Sequence, residues 1–434
     1  MLKNRNFLTL FVGQLISTFG NNLFAIALPW YVYSITQSKA DLSYVGIAQS
    51  IPSLLSLFAG VFIDRWRKRT TMVTADLLRM ALCLTLAGLC LKHASLLPMV
   101  ILVFVMESVG SFFNPASGAL LPLIVSKEEI PTATGVAQSG NATVQLLGTL
   151  SGGALLSIFS APFLFIGDAI SFLGSVVCLS LLRLREQRSD RPASRQSHFW
   201  REFREGISIF QRSRFLLFAL FCALIANFGM APFDISLTVW VKGPLHGTSL
   251  QLAIINGAFF LGVVTGGIVL GQMMKLFSMR VLFSGSLMLA GLLICLVGKF
   301  PNIYVDATLT LIAGFVIGTL NGAASSVFVS NVPERLRGRV MGTIGALFPM
   351  AMPLGMAFGG FLLTHVPLAN VFLWMGGLSI LSGVPFLFPI RDDLADALSS
   401  LSIVSDGSSA SLDPAIPTDI SRPTTPMEDT LSAE

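Results

Sequence analysis

Along this chain long apolar runs recur at regular intervals, and polar residues collect in the short stretches between them. The runs fall near 7–33, 42–63, 72–91, 95–116, 134–158, 162–182, 215–241, 250–272, 281–299, 303–328, 341–364 and 369–389. Each has about the length a helix needs to cross a bilayer, roughly 20 mostly apolar residues. They are not short segments of alternating polarity, so a transmembrane β-barrel is excluded. The first run begins at Phe7 after Lys3 and Arg5, passes Trp30 and ends without a small-residue cleavage site. It reads as a retained helix rather than a signal peptide. The pattern predicts an all-α membrane protein of twelve transmembrane helices.

Composition agrees with the pattern. Hydrophobic residues make up 53% of the chain and charged residues only 12%, half of the roughly 25% usual for a soluble domain. If the N-terminus lies inside, all but four of the 28 basic residues fall in cytoplasmic segments, with Asp76 and Arg79 read as opening the third span at the inner face; Lys39, Lys92, Lys242 and Lys299 remain outside. This positive-inside bias predicts a cell-membrane protein with both termini cytoplasmic and an even number of spans. Trp30, Tyr31 and Tyr33 close the first run and Trp240 the seventh, as interfacial aromatic belts do. The net charge of +5 is therefore a topology signal and not a nucleic-acid footprint. The five cysteines sit singly inside apolar runs and read as small buried hydrophobes, with no disulfide framework and no metal site.

The two halves of the chain echo each other. Asn114, Gly148, Gly152 and Gly153 recur 207 residues later as Asn321, Gly355, Gly359 and Gly360. The shared G-x-x-x-G-G lies in the fifth and eleventh spans, where small residues let helices approach closely. Six helices followed by six similar ones predict two bundles related by an axis along the membrane normal, with a central site between them. The expected divisions are a first bundle at 1–183, a cytoplasmic Arg-rich linker at 184–214, a second bundle at 215–390 and a tail at 391–434. The tail holds nine acids among many Ser, Thr and Pro, a composition too polar to bury a core and read as disordered.

The most specific motif is Gly60-Val-Phe-Ile-Asp64-Arg65-Trp-Arg67-Lys68-Arg69, after the second span. Gly60 permits close packing, Asp64 can face the positive end of a neighbouring helix, and the basic run anchors the loop at the headgroups. The stretch resembles the G-x-x-x-D-R-x-G-R-R signature of the major facilitator superfamily, with Arg67 where glycine is usual. The branch holding macrolide-efflux proteins and the enterobactin exporter is resembled at further points. These include Ala27-Leu-Pro-Trp-Tyr-Val-Tyr33, Phe112-Phe-Asn-Pro-Ala116, Asp168-Ala-Ile-Ser-Phe172 and Val332-Pro-Glu-Arg-Leu-Arg-Gly-Arg-Val340. The resemblance implies proton- or ion-coupled export, of the drug:proton antiporter type, by rocking of the halves, with Gly60, Asp64, Arg65, Arg67, Lys68 and Arg69 as a conformational latch. Two departures bear on this. The family's helix-five exporter motif has a proline where Thr149 stands here, and Asn21-Asn22 occupy a place where relatives often carry an acid.

Ionisable residues inside a membrane are costly and are functional candidates by default. Glu107, deep in the fourth span, suits proton coupling or a cationic substrate; its alternative role is a helix-to-helix hydrogen bond. Asp168 matches the branch pattern, so structural helix pairing competes with function there. Asp234 and Asp306 stand near outer helix ends and can simply face water. Asp76 and Arg79, three apart, are expected to brace the signature loop. Among neutral groups Asn21, Asn22, Asn227 and Asn321 are candidates to line the pathway, or equally to bond helix to helix. The expected partners are a small-molecule substrate, a proton and the lipid bilayer. No H-E-x-x-H and no G-x-x-x-x-G-K-[ST] is present, so no cofactor, ATP use or enzymatic activity is expected. The reading that results is efflux of an amphipathic drug, antibiotic or siderophore by alternating access, the alternative being proton-coupled import of a nutrient.

Overall fold

A computed structural model describes residues 4–387 apart from 57–58, 60–62, 64–65, 127–128, 183–213 and 332–333. Gly60, Asp64, Arg65, nearly all of the 184–214 linker, the 391–434 tail and the start of the Val332 motif lie outside the described residues.

Helices occupy all twelve expected places. The first six spans are Arg5–Thr36, Lys39–Ser50 continued by the 3-10 turn Ile51–Leu55, Lys68–Leu91, Leu96–Gly110 with Phe113–Leu120, Ile130–Ile158 and Ala161–Leu181. The second six are Arg214–Met230 with Phe233–Lys242, Ser249–Leu276, Met279–Leu296, Ile303–Asn331, Glu334–His365 and Leu368–Gly383. Among the described residues, eight helices are long and apolar enough to cross a membrane on length and composition alone. The ninth and eleventh spans hold shorter apolar stretches, Val281–Leu296 and Met350–His365. Among the described residues there is no strand.

Local chemistry fixes where helices start and break. The Asn4 side chain caps the first span by accepting from the amides of Asn6 and Phe7, at 3.1 and 3.3 Å. Thr248 and Gln251 close a reciprocal capping box at the start of the eighth. The fourth and seventh spans each break once, at Ser111–Phe112 and at Ala231–Pro232. In both, a proline supplies the cause: Pro115 and Pro232 have no N–H to return to the carbonyl four residues earlier. The freed carbonyl of Phe228 turns toward Gly355 in the eleventh span, where any side chain would strike it.

The halves pack alike. In the first bundle the first span lies against the fifth and sixth, and the third against the sixth; in the second bundle the seventh lies against the eleventh and twelfth, and the ninth against the twelfth. Across the divide the fifth span meets the eighth and the eleventh meets the second. The repeated glycines explain this symmetry. Gly148 and Gly152 abut Asn22 and Leu23 of the first span, while Gly355 and Gly359 abut Phe228 and Pro232 of the seventh. The last glycine of each set reaches across, Gly153 to Ser249 and Ala253, Gly360 to Ser43. Ser249 Oγ donates to the Gly153 carbonyl at 3.1 Å.

These cross-bundle contacts all lie at one end, opposite the basic one. There Tyr33 and Leu42 of the first half join a core with Phe233, Trp240, Leu252 and Phe372 of the second. Lys242 donates to Ser34 Oγ and stands over the Trp30 ring, 4.7 Å from its centroid. A cation over an indole contributes about 0.5–2 kcal/mol. Lys242→Gln is expected to loosen this closure and raise the fraction of molecules open at that end. Alkylation of a cysteine placed at Ser34 in a cysteine-free background, with and without the Lys242 change, would show it as faster labelling; an unchanged rate would deny the contact any part in closure.

Candidate functional site

Within the first half, the first five spans enclose a cavity of about 480 Å³. It runs from Phe7, Leu121 and Thr134 near the basic end to Phe24, Ala25 and Gln49 at mid-depth. Its wall mixes phenylalanines (Phe7, Phe11, Phe24, Phe113) with amides and hydroxyls (Gln14, Asn21, Gln49, Asn114, Ser117, Asn141) and two charged residues, Glu107 and Arg79. Such a lining suits an amphipathic guest: aromatic faces for an apolar body and a few polar groups for orientation.

Glu107 owes its position to the break in the fourth span. It lies one turn before Gly110, where Leu96–Gly110 ends, and its carbonyl accepts from Ser111 N at 2.9 Å. A second cavity of about 450 Å³, between the second and fourth spans, shares Gln49, Glu107, Gly110 and Asn114 with the first. The carboxylate therefore stands where the two spaces meet. Gln14 Nε2 donates to Ser117 Oγ and ties the first span to the fourth below it.

The structure divides the other candidates. Asn21 lines the cavity, whereas its neighbour Asn22 bonds the Thr18 carbonyl at 2.7 Å and packs beside Gly148. Asn227 likewise returns its amide to its own helix, to the Ala223 carbonyl at 2.8 Å. Asn321 is exposed in the tenth span. Asp234 occupies the first turn of Phe233–Lys242, a favourable place for an anion. Its side chain is exposed.

Asp168 is fully buried behind the cavity wall, accepting from Ser171 Oγ at 3.3 Å and facing Cys83 Sγ at 3.7 Å. Gly20 of the first span has no room for a side chain against it. It stands at the junction of the first, third and sixth spans, the place that helix pairing requires. Asp168→Asn is expected to keep substrate affinity within about twofold while Asp168→Leu, which removes the side-chain bonds to Ser171 and Cys83, lowers thermal stability by about 1–3 kcal/mol. Thermal unfolding in detergent and substrate binding on the same samples would separate the two effects.

Two expectations are corrected. Asp306 does not face water: it is fully buried and accepts a hydrogen bond from Trp240 Nε1 at 2.8 Å, the indole supplying the partner a buried carboxylate requires. Arg79 does not sit at the inner face bracing the signature loop. It stands halfway along Lys68–Leu91, in the cavity wall, bonded to Asn21. The third span begins earlier than its hydropathy shows, because Lys68 and Arg69 form its first turn. Arg69 itself reaches the end of the sixth span, donating from Nε to the Leu179 carbonyl at 2.8 Å. Arg67 precedes the helix and is exposed. Gln49, another cavity residue, escaped the sequence reading; its one signal was an amide deep in an apolar run.

Two pseudo-symmetric helical bundles, joined at one end and with a mixed polar and aromatic cavity in the first of them, define a secondary transporter of alternating-access type. The chain belongs to the major facilitator superfamily, whose family model matches residues 10–243 and 220–403. It is similar to macrolide efflux protein A of Streptococcus pyogenes, 22% identical over 391 residues covering 89% of this chain and 96% of that one. It is also similar to the multidrug efflux pump Tap of Mycolicibacterium fortuitum, 24% identical over 385 residues covering 85% and 92%. In fold it matches the nucleoside transporter NupG with a TM-score of 0.71 at 13% identity, covering 88% of this chain and 98% of that one. A bacterial homologue of the iron transporter ferroportin, in its inward-facing state, matches with a TM-score of 0.69 at 13% identity over 88% and 98%.

Proposed function

We propose that the protein exports an amphipathic, positively charged small molecule across the cell membrane, with protons moving the opposite way. Both termini and the basic end face the cytoplasm in this reading, so the cavity is open inward and the far end is the closed outer gate. The observation that carries the proposal is Glu107: one carboxylate at the meeting point of two cavities, among phenylalanines and amides. A carboxylate in such a place can take either a proton or an organic cation, and exclusive occupancy by one or the other is what couples their movements. The relatives named for macrolide and multidrug efflux support the direction. The 60–69 loop acts as the latch that holds the inner ends together in the outward-facing state, and Asp234, across the divide, is the second group a proton can visit.

Purified protein in liposomes holding a pH-sensitive dye would be offered macrolides, fluoroquinolones, cationic dyes and siderophores. The expected result is proton movement that starts only when a transported compound is added. Silence with every compound would sink the antiport reading and leave the fold untouched. Gradient-driven uptake in right-side-out vesicles would establish import instead.

A further inference from the structure

Arg79 has a setting that its cavity position alone does not explain. It is only 7% exposed, and among the described residues it is the single basic side chain away from the ends of the first six spans. A buried guanidinium is costly unless it is paired. Three carboxylates lie within its electrostatic reach, Asp76 and Glu107 on the flanking turns of the third and fourth spans and Asp168 on the sixth. Yet it forms an ion pair with none of them. Nη2 donates instead to Asn21 Oδ1 at 2.9 Å, and the guanidinium lies over the Phe172 ring, 4.3 Å from its centroid. Its Nε is buried without a hydrogen-bond partner. A group serving only as a structural tie would be expected to close on one of these acids.

The space beside it shows where it can go. Arg79 rests against Gly110, where a Cβ would come within 3.2 Å of Nε and 3.3 Å of Cζ. Gly110 lies one turn from Glu107 on the same face of the fourth span, since residues three apart are neighbours on a helix. With no Cβ, the backbone at Gly110 forms a slot in which the guanidinium already lies, on the face that carries Glu107, and both side chains line the same cavity. An anionic guest at Arg79 is disfavoured by the three acids around it, so the partner of this cation is one of the protein's own.

We propose that Arg79 is a positioning residue for Glu107: held on Asn21 and Phe172 it leaves the carboxylate free for a cationic substrate, and when the substrate leaves it moves along the Gly110 slot to become the counter-ion. Substrate and Arg79 thus compete for one carboxylate, which keeps binding weak enough for release. The proposal rests on Glu107 being the substrate's anchor. Asn21 is the parking place, and its strength sets how often Arg79 is away from Glu107.

The test is binding of radiolabelled tetraphenylphosphonium, a permanent organic cation, to the full-length protein in lipid nanodiscs. Removing the competitor with Arg79→Gln is expected to tighten binding by about fivefold or more, the lower end of coupling between linked sites, while transport turnover falls. Asn21→Asp, which holds Arg79 more firmly on the first span, should tighten binding too; Asn21→Ala, which releases it, should weaken binding. In a Glu107→Gln background none of these changes should alter what binding remains. A merely structural Arg79 would give weaker binding for Arg79→Gln and for both Asn21 variants, and that result overturns the inference, as does an effect that persists without Glu107. If Arg79→Gln does not fold, the opposite signs of the two Asn21 variants decide. Absence of binding to the wild type, or binding indifferent to Glu107→Gln, would instead reject the anchor role on which the inference stands.

Discussion

Glu107→Gln is expected to abolish substrate-driven proton movement in liposomes and to weaken binding of an organic cation by ~30-fold or more, as removing one partner of a buried charge pair costs about 2–5 kcal/mol. The substitution keeps the size of the side chain, so the cavity walls and the break at Ser111–Phe112 are undisturbed. It removes both the charge that holds a cation and the oxygen that can carry a proton across. Binding and proton movement should therefore be lost together. Loss of proton movement with binding intact would move the proton site elsewhere, with Asp234 the next carboxylate to test. Full retention of both would remove the fourth span from the mechanism. Asp234→Asn in parallel, in the second half, separates a shared relay from a single site.

The second large effect concerns folding. Gly266→Leu is expected to prevent accumulation of folded protein, whereas Gly267→Leu, one residue on, is expected to be tolerated. The eighth and tenth spans carry reciprocal small-residue motifs, Gly262-Val-Val-Thr-Gly266 and Gly314-Phe-Val-Ile-Gly318. Each glycine lies against the backbone of the other helix: Gly262 at Leu311 and Phe315, Gly266 at Phe315, Gly314 at Phe259 and Gly318 at Val263. Overpacking a core costs about 1–3 kcal/mol even where side chains can yield, and here the obstacle is main chain that cannot. At Gly267 a Cβ meets nothing within 4 Å. Size-exclusion profiles of fluorescent fusions of the two variants would show a monodisperse peak for Gly267→Leu alone. Equal profiles would mean that the two spans can separate without loss of the fold.

How much of this was legible beforehand depends on which physical signal each feature leaves. The twelve spans were, because a bilayer demands long apolar runs with the backbone satisfied internally. The fifth and eleventh spans were placed correctly although they are the more polar, since the shared Gly148–Gly153 and Gly355–Gly360 patterns mark them as equivalent. Glu107 stood out because a carboxylate inside an apolar run is expensive and therefore rare. The bounds of the third span were less clear: Lys68 and Arg69 lower the hydropathy of its first turn, so Arg79 read as an interfacial residue when it lies at mid-length.

Sequence by itself determined the membrane class, the number and order of spans, the two-fold repeat and the single deep carboxylate of the fourth span. These follow from terms that each residue carries with it: transfer cost into lipid, a glycine's lack of a side chain, a proline's lack of an N–H. Tertiary structure alone decided which of two adjacent amides, Asn21 or Asn22, faces the cavity, that Asp168 and Asp306 are buried between helices, and that Gly266 lies against the tenth span's backbone while Gly267 faces open space. It also decided that Arg79 rests on Asn21 and Phe172. Those outcomes depend on how each helix is rotated about its axis against its neighbours. That rotation is set by side-chain interlocking across several helices at once, and no single apolar run records it.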